Sequence, residues 1–177
     1  QLVEAIRSGA LSQQPAFQAF WPAGKPEQPA AEMVSANLPP HNLPSSLTRL
    51  IGRELEILQV KQFLRQQRLV ILTGPGGVGK TRLAMATATE VVEQFRDGVW
   101  FVELASLGQE GNIPSLILRA LGIDPPPMAT GSQLLRHILN NRQMLLILDN
   151  CESLIASVTE LALTLMQTCP HLKILAT

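Results

Sequence analysis

Residues 74–81 read GPGGVGKT, four glycines in eight positions with a lysine and a threonine at the end. Ordered glycine loses more backbone entropy than any other residue, so such a cluster marks a backbone path that side chains would obstruct. The stretch fits G-x-x-x-x-G-K-[ST] in full: Gly74, then Pro75, Gly76, Gly77 and Val78, then Gly79, Lys80 and Thr81. Before it, RLVILTG (68–74) reads as a buried strand. After it, Ala84, Ala88, Val91, Val92 and Phe95 fall on one face of a helix. A loop in that context turns its N–H groups toward one centre, and the helix adds its positive end. The result is a cradle for phosphate. Lys80 brings a full charge to the β- and γ-phosphates, and the Thr81 hydroxyl can ligate Mg²⁺, whose other ligands are mostly water and phosphate.

The rest of the chain repeats the alternation. VWFVELA (99–105) is strand-like, and Ile113, Leu116, Ile117, Ala120 and Leu121 form a helical stripe closed by Gly122. Ser132 is placed to cap a short helix carrying Leu135, Ile138 and Leu139. MLLILD (144–149) is the most apolar strand, and Leu154, Val158, Leu161, Ala162 and Leu165 make the next helical face. HLKILAT (171–177) reads as a fourth strand. The order β-α-β-α-α-β-α-β predicts a three-layer α/β core, a mostly parallel sheet with helices on both faces.

Three zones follow. Residues 1–11 fit the last turns of an amphipathic helix, residues 12–46 are a Pro/Gln-rich linker, and residues 47–177 are the core. Phe17, Phe20 and Trp21 are odd in a linker; they either dock on a neighbouring surface or are simply sticky. The helical character of the opening residues and the strand character of KILAT lead us to expect a segment of something longer, cut after the fourth core strand.

Composition narrows the function classes. Of 177 residues, 46% are hydrophobic and 16% charged, enough apolar material for a core. Lys+Arg and Asp+Glu are 14 each, which argues against a broad nucleic-acid or membrane-surface footprint. Cys151 and Cys169 form neither a disulfide framework nor a zinc cluster and read as small apolar fillers. With no long apolar run and no basic-then-apolar leader, a cytoplasmic location without membrane contact is expected.

A phosphate cradle for a nucleotide with magnesium needs an acid at the C-terminal end of a neighbouring strand. Asp149, ending MLLILD, is placed for it. Hydrolysis further needs a group that positions or deprotonates a water. Asn150 can orient a water but cannot take its proton. Glu152 is either that base or a residue of the following helix's first turn, favoured by the dipole. Slow hydrolysis is the expectation, with Lys80, Asp149 and Glu152 as the catalytic set.

With these residues in hand, the sequence from about residue 43 to 177 resembles the STAND class of P-loop NTPases, the NB-ARC-like ATPases of signal-transduction proteins. The resemblance rests on NLPSSLTRLIGRE, GPGGVGKTRLA, DGVWFVELASL, LLILDNCESL and LKILAT. It implies binding of ATP and ADP with Mg²⁺, the metal held through Thr81 and Asp149. It implies nucleotide contacts along Gly74–Thr81 and at Arg82, with Ile51, Gly52 and Arg53 on the adenine side. The residues alone favour a plainer reading of that last motif: a turn starting a surface helix, with Leu55, Leu58 and Phe63 inward. The polar or arginine sensor that relatives carry just after the fourth strand falls beyond Thr177, and Asn150 stands where efficient hydrolysers commonly have a second acid. QLVEAIRSGAL resembles the closing helix of a bacterial transcriptional activator domain, with a cyclase domain as the rival.

The resemblance implies a nucleotide-dependent switch in a bacterial transcriptional regulator. Its partners would be neighbouring domains of the parent chain and other copies of itself, with DNA reached only through other domains. The rival class is an efficient ATPase or a small-molecule kinase on the same fold, since fold does not choose between them. A kinase would need a lid with arginines over the phosphates. Between Asp124 and Thr177 the arginines are Arg136 and Arg142, on or beside one short helix. A relic that binds nothing is the third option, and an intact GPGGVGKT with Asp149 speaks against it.

Overall fold

The alternation read from the sequence is the one the chain adopts. The structure, a computed structural model, describes residues 38–44, 50–107, 112–124 and 131–177. The opening helix, Phe17, Phe20, Trp21 and most of the Pro/Gln-rich stretch lie outside the described residues. The order is α1 (Glu54–Gln66), β1 (Leu69–Ile71), α2 (Lys80–Val91), β2 (Val99–Glu103), α3 (Ile113–Ala120), α4 (Gly131–Leu139), β3 (Leu145–Asp149), α5 (Ile155–Thr168) and β4 (Lys173–Ala176). Single 3₁₀ turns follow α2, β2 and β3.

The strands form one parallel sheet in the order β1-β4-β3-β2. Parallel neighbours require crossovers, and the helices supply them on both faces. The most apolar strand takes a central place, with all five residues of β3 buried. Alternation along it defines two cores. Leu145 and Ile147 join Val70, Val99 and Leu175 under α1 and α2. Leu146 and Leu148 join Val102 and Ile174 under α3, α4 and α5. The α5 stripe packs as the spacing predicts, with Leu154, Val158, Leu161, Ala162 and Leu165 all buried.

Three expectations change. RLVILTG yields a strand of three residues with only Val70 buried, and the chain leaves the sheet after it to form the glycine loop. Ser132 does not cap α4; the helix starts at Gly131 and Ser132 lies in its first turn. Leu55, Leu58 and Phe63 point outward, at 74%, 57% and 54% exposure, while Ile57, Val60 and Leu64 point inward. The geometry explains the choice: at 100° per residue the observed three span about 60° of the helix, the expected three about 140°.

Residues 38–44, at the end of the Pro-rich stretch, run along β2. His41 bridges Val99 in parallel, and the Val99 amide donates to Pro40 O at 3.1 Å. The Asn42 side chain reads the Phe101 backbone as a strand would, accepting from its N–H at 2.6 Å and donating to its C=O at 2.8 Å. Leu43 is buried in the core under α1 and α2.

Candidate functional site

The chain leaves β1 through residues 72–79 and enters α2 at Lys80. Gly77 and Gly79 have φ of 75° and 92°, a region that favours glycine, and Gly79 is the N-cap of α2. Among the described residues the amides of Gly76, Gly77 and Gly79 make no hydrogen bond. They stand with the first amides of α2, which have no intrahelical partner either. The loop is exposed from Gly74 to Val78, while Gly79 and Lys80 are half-buried. Lys80 folds back over it, its Nζ donating to the carbonyls of Gly74 at 2.9 Å and Pro75 at 3.1 Å. An ammonium over a ring of amides is a centre for a polyphosphate.

Asp149 arrives from β3. Its position continues the Leu145–Ile147 series, so its side chain faces α2, and Thr81 Oγ1 donates to Asp149 Oδ1 at 2.6 Å. The carboxylate is buried, with 4% exposure. A hydroxyl and a carboxylate in contact at the first turn of a helix make a donor set for a hard, oxygen-seeking cation. The residues present therefore fit Mg²⁺ held by Thr81 and Asp149, with phosphate and water as its remaining ligands.

A second hydroxyl reaches the same oxygen. Thr177 Oγ1 donates to Asp149 Oδ1 and accepts from the Asn150 amide at 3.3 Å. The backbone of Thr177 is fixed as well: its amide donates to Leu148 O at 2.9 Å, and its carbonyl accepts from Cys151 N at 3.0 Å. The sequence reading takes Thr177 only as the end of a strand. The available signal was a polar residue one step past the buried ILA of the strand beside Asp149. Asn150 is exposed and left-handed, with φ of 62°. After it the 3₁₀ turn Cys151–Ser153 leads onto the other face of the sheet, where Cys151 and Leu154 pack under α5. Glu152 is exposed on that turn. Burial raises the pKa of the Cys151 thiol, and Asp149 and Glu152 raise it further against a backbone hydrogen bond.

The upstream motif is brought to the loop. Arg53, the N-cap of α1, donates from Nη2 to Val78 O at 3.2 Å. Gly52 takes φ of 78° and its amide donates to Glu54 Oε1 at 3.3 Å. Ile51 is 84% exposed and Val78 39%, leaving apolar surface close to the amide cradle. Arg82 is exposed in the first turn of α2.

A parallel sheet, a glycine loop opening a helix and an acid on a central strand define a P-loop nucleoside-triphosphatase fold. A family profile described as an AAA domain matches residues 62–175, and the chain belongs to that family. It is 42% identical over 118 residues to a Mycobacterium tuberculosis protein named, provisionally, as an HTH-type transcriptional regulator, covering 67% of this chain and 13% of that protein. It is 31% identical over 138 residues to the regulatory protein AfsR of Streptomyces coelicolor, covering 68% of this chain and 14% of AfsR. An uncharacterized M. tuberculosis protein matches at 34% identity over 137 residues, 77% of this chain and 35% of its own length. The chain thus spans about a third or less of these relatives. Among solved structures, the Aeropyrum pernix ORC2 protein superposes with a TM-score of 0.52 at 19% identity, over 81% of this chain and 43% of that one, a likeness of fold. Among the described residues no helix is long and apolar enough to cross a membrane.

Proposed function

We propose that the chain binds ATP and ADP with Mg²⁺ and works as a nucleotide-dependent switch of the STAND, NB-ARC-like kind inside a longer bacterial transcriptional regulator. The observation that carries this reading is the contact between Thr81 and Asp149 at the mouth of a loop whose Gly76, Gly77 and Gly79 amides make no hydrogen bond among the described residues. Lys80 would leave its two carbonyl partners for the β- and γ-phosphates. Arg53, Gly52 and Ile51 would flank the base and ribose, since Arg53 is already tied to Val78. The ORC2 protein was solved as ADPNP and ADP complexes, which agrees with a nucleotide on this fold.

The regulator names among the relatives support placing the switch in transcription control. There it would act on neighbouring domains and on other copies of the chain, and reach DNA through other domains. A switch needs different contacts in its two states, and the γ-phosphate is the group that differs. Asn150 in place of a second acid next to Asp149 supports slow rather than rapid turnover.

The test is Lys80→Ala. Losing a charged hydrogen-bond donor to phosphate should weaken ATP binding about tenfold to a hundredfold. Calorimetry of the variant and the parent protein measures it, with circular dichroism confirming the fold. An affinity that does not change removes the phosphate assignment and the switch with it.

A further inference from the structure

We propose that Glu103 is the base that takes the proton from the water attacking the γ-phosphate. The inference rests on the nucleotide reading above and gives Glu103 the role that the sequence offers to Glu152.

The register of the sheet makes the case. In the β2–β3 pairing, Glu103 is the direct partner of Asp149. Registered residues on parallel neighbours stand on the same face, about 4.8 Å apart across the strands. The faces are fixed by the cores: Val99, Phe101, Leu145 and Ile147 all pack under α1 and α2. Glu103 continues the first series as Asp149 continues the second, so both carboxylates stand on the α2 side at the C-terminal end of the sheet. That is the side on which Thr81 meets Asp149.

Among the described residues, the other acids around this end are engaged or sit on other elements. Asp149 is buried and accepts two hydroxyls on one oxygen. Glu54 accepts the Gly52 amide, and Glu56 pairs with Arg53 at 3.7 Å. Glu152 lies on the turn that leads to the opposite face. Glu103 is exposed, and among the described residues its carboxylate has no hydrogen-bond or ion-pair partner; its backbone carbonyl accepts from Ser106 Oγ at 3.3 Å. Two like charges directly opposite on neighbouring strands are unfavourable. A cation bound between these two strands would offset that repulsion.

The step balances. The water oxygen bonds to the γ-phosphorus, the bond from that phosphorus to the β–γ bridging oxygen breaks, and ADP leaves with the electron pair. The water's proton passes to the Glu103 carboxylate and from there to solvent. A base on the strand beside Asp149 also leaves Asn150 with the lesser task of orienting the water.

The experiment uses the full chain with Glu103→Gln and Glu103→Asp, reading ATP affinity by calorimetry, phosphate release, and the nucleotide carried through purification by mass spectrometry. The expected result is ATP affinity within about twofold of the parent and phosphate release lowered by about a hundredfold, in the range ascribed to a general base. Purified Glu103→Gln should carry ATP where the parent carries ADP, and Glu103→Asp should fall between. Unchanged phosphate release and unchanged bound nucleotide in Glu103→Gln would make Glu103 an edge-strand charge only, and overturn the assignment. A parent protein that binds ATP and never cleaves it overturns it too, with the binding reading intact. A parent protein that takes up no nucleotide sinks both.

Discussion

At the N-terminal end of the sheet Arg68 and Lys173 reach carbonyls at the ends of helices; at the C-terminal end Lys80 lies over an exposed loop and donates to two of its carbonyls. Arg68 donates to Met166 O at 2.8 Å, Cys169 O at 3.2 Å and Pro170 O at 3.4 Å, carbonyls at and just past the end of α5. Lys173 donates to Leu64 O and to Arg65 O, the free carbonyls at the end of α1. Burial there lowers the Lys173 pKa below its ordinary value. Helix C-termini carry partial negative charge, so these cations complete the helices they touch. The opposite end presents the start of α2, and among the described residues the Gly76, Gly77 and Gly79 amides of its loop make no hydrogen bond. The same chemistry completes helices at one end and, in the proposed reading, would serve a ligand at the other.

That contrast breaks most readily at Asp97. Its Oδ1 accepts from Arg142 at 2.7 Å and its Oδ2 from the Gln143 amide at 2.9 Å, and its carboxylate is buried. It ties the start of β2 to the start of β3. Asp97→Ala leaves a half-buried guanidinium and a backbone amide without this partner. The expected loss is about 3 kcal/mol in urea unfolding, with ATP affinity unchanged in the protein that remains folded. A fall in affinity comparable to that of Lys80→Ala would mean that the two ends are coupled. Arg68→Met is gentler. The guanidinium is exposed and solvent screens it, so the expected loss is about 1 kcal/mol, again without effect on nucleotide.

How much of this was legible follows from the range of each signal. The glycine loop, Asp149 and the α5 stripe were readable because each is written in neighbouring residues. The facing of α1 was not: it carries two apolar sets, and only the helix period separates Ile57, Val60 and Leu64 from Leu55, Leu58 and Phe63. The bond from Thr177 to Asp149 spans 28 residues, and sequence gives no local hint of which strand lies beside which. The pairing of Glu103 with Asp149 depends wholly on register, since a slip of one residue would turn Glu103 to the other face. Sequence therefore marked the glycine loop and Asp149 as candidates, and left unread the groups gathered around them from neighbouring strands.

The smallest expected effect lies on the flank between the two ends. β2 is an edge strand, and an unpaired edge invites another chain. Residues 40–42 prevent this over two positions, through Pro40 O on the Val99 amide and the Asn42 amide on both backbone groups of Phe101. Asn42→Ala frees the Phe101 N–H and C=O to water, since that site is exposed, and the loss should be only about 1 kcal/mol. Aggregation should respond more than stability does, because the freed pair is the one a foreign strand would use. Light scattering at rising concentration checks this against Asn42→Asp, which keeps the acceptor for the N–H and adds a charge at the edge. If Asn42→Ala stays as monodisperse as its parent, the strap serves only to hold Leu43 in the core, and edge protection lies elsewhere.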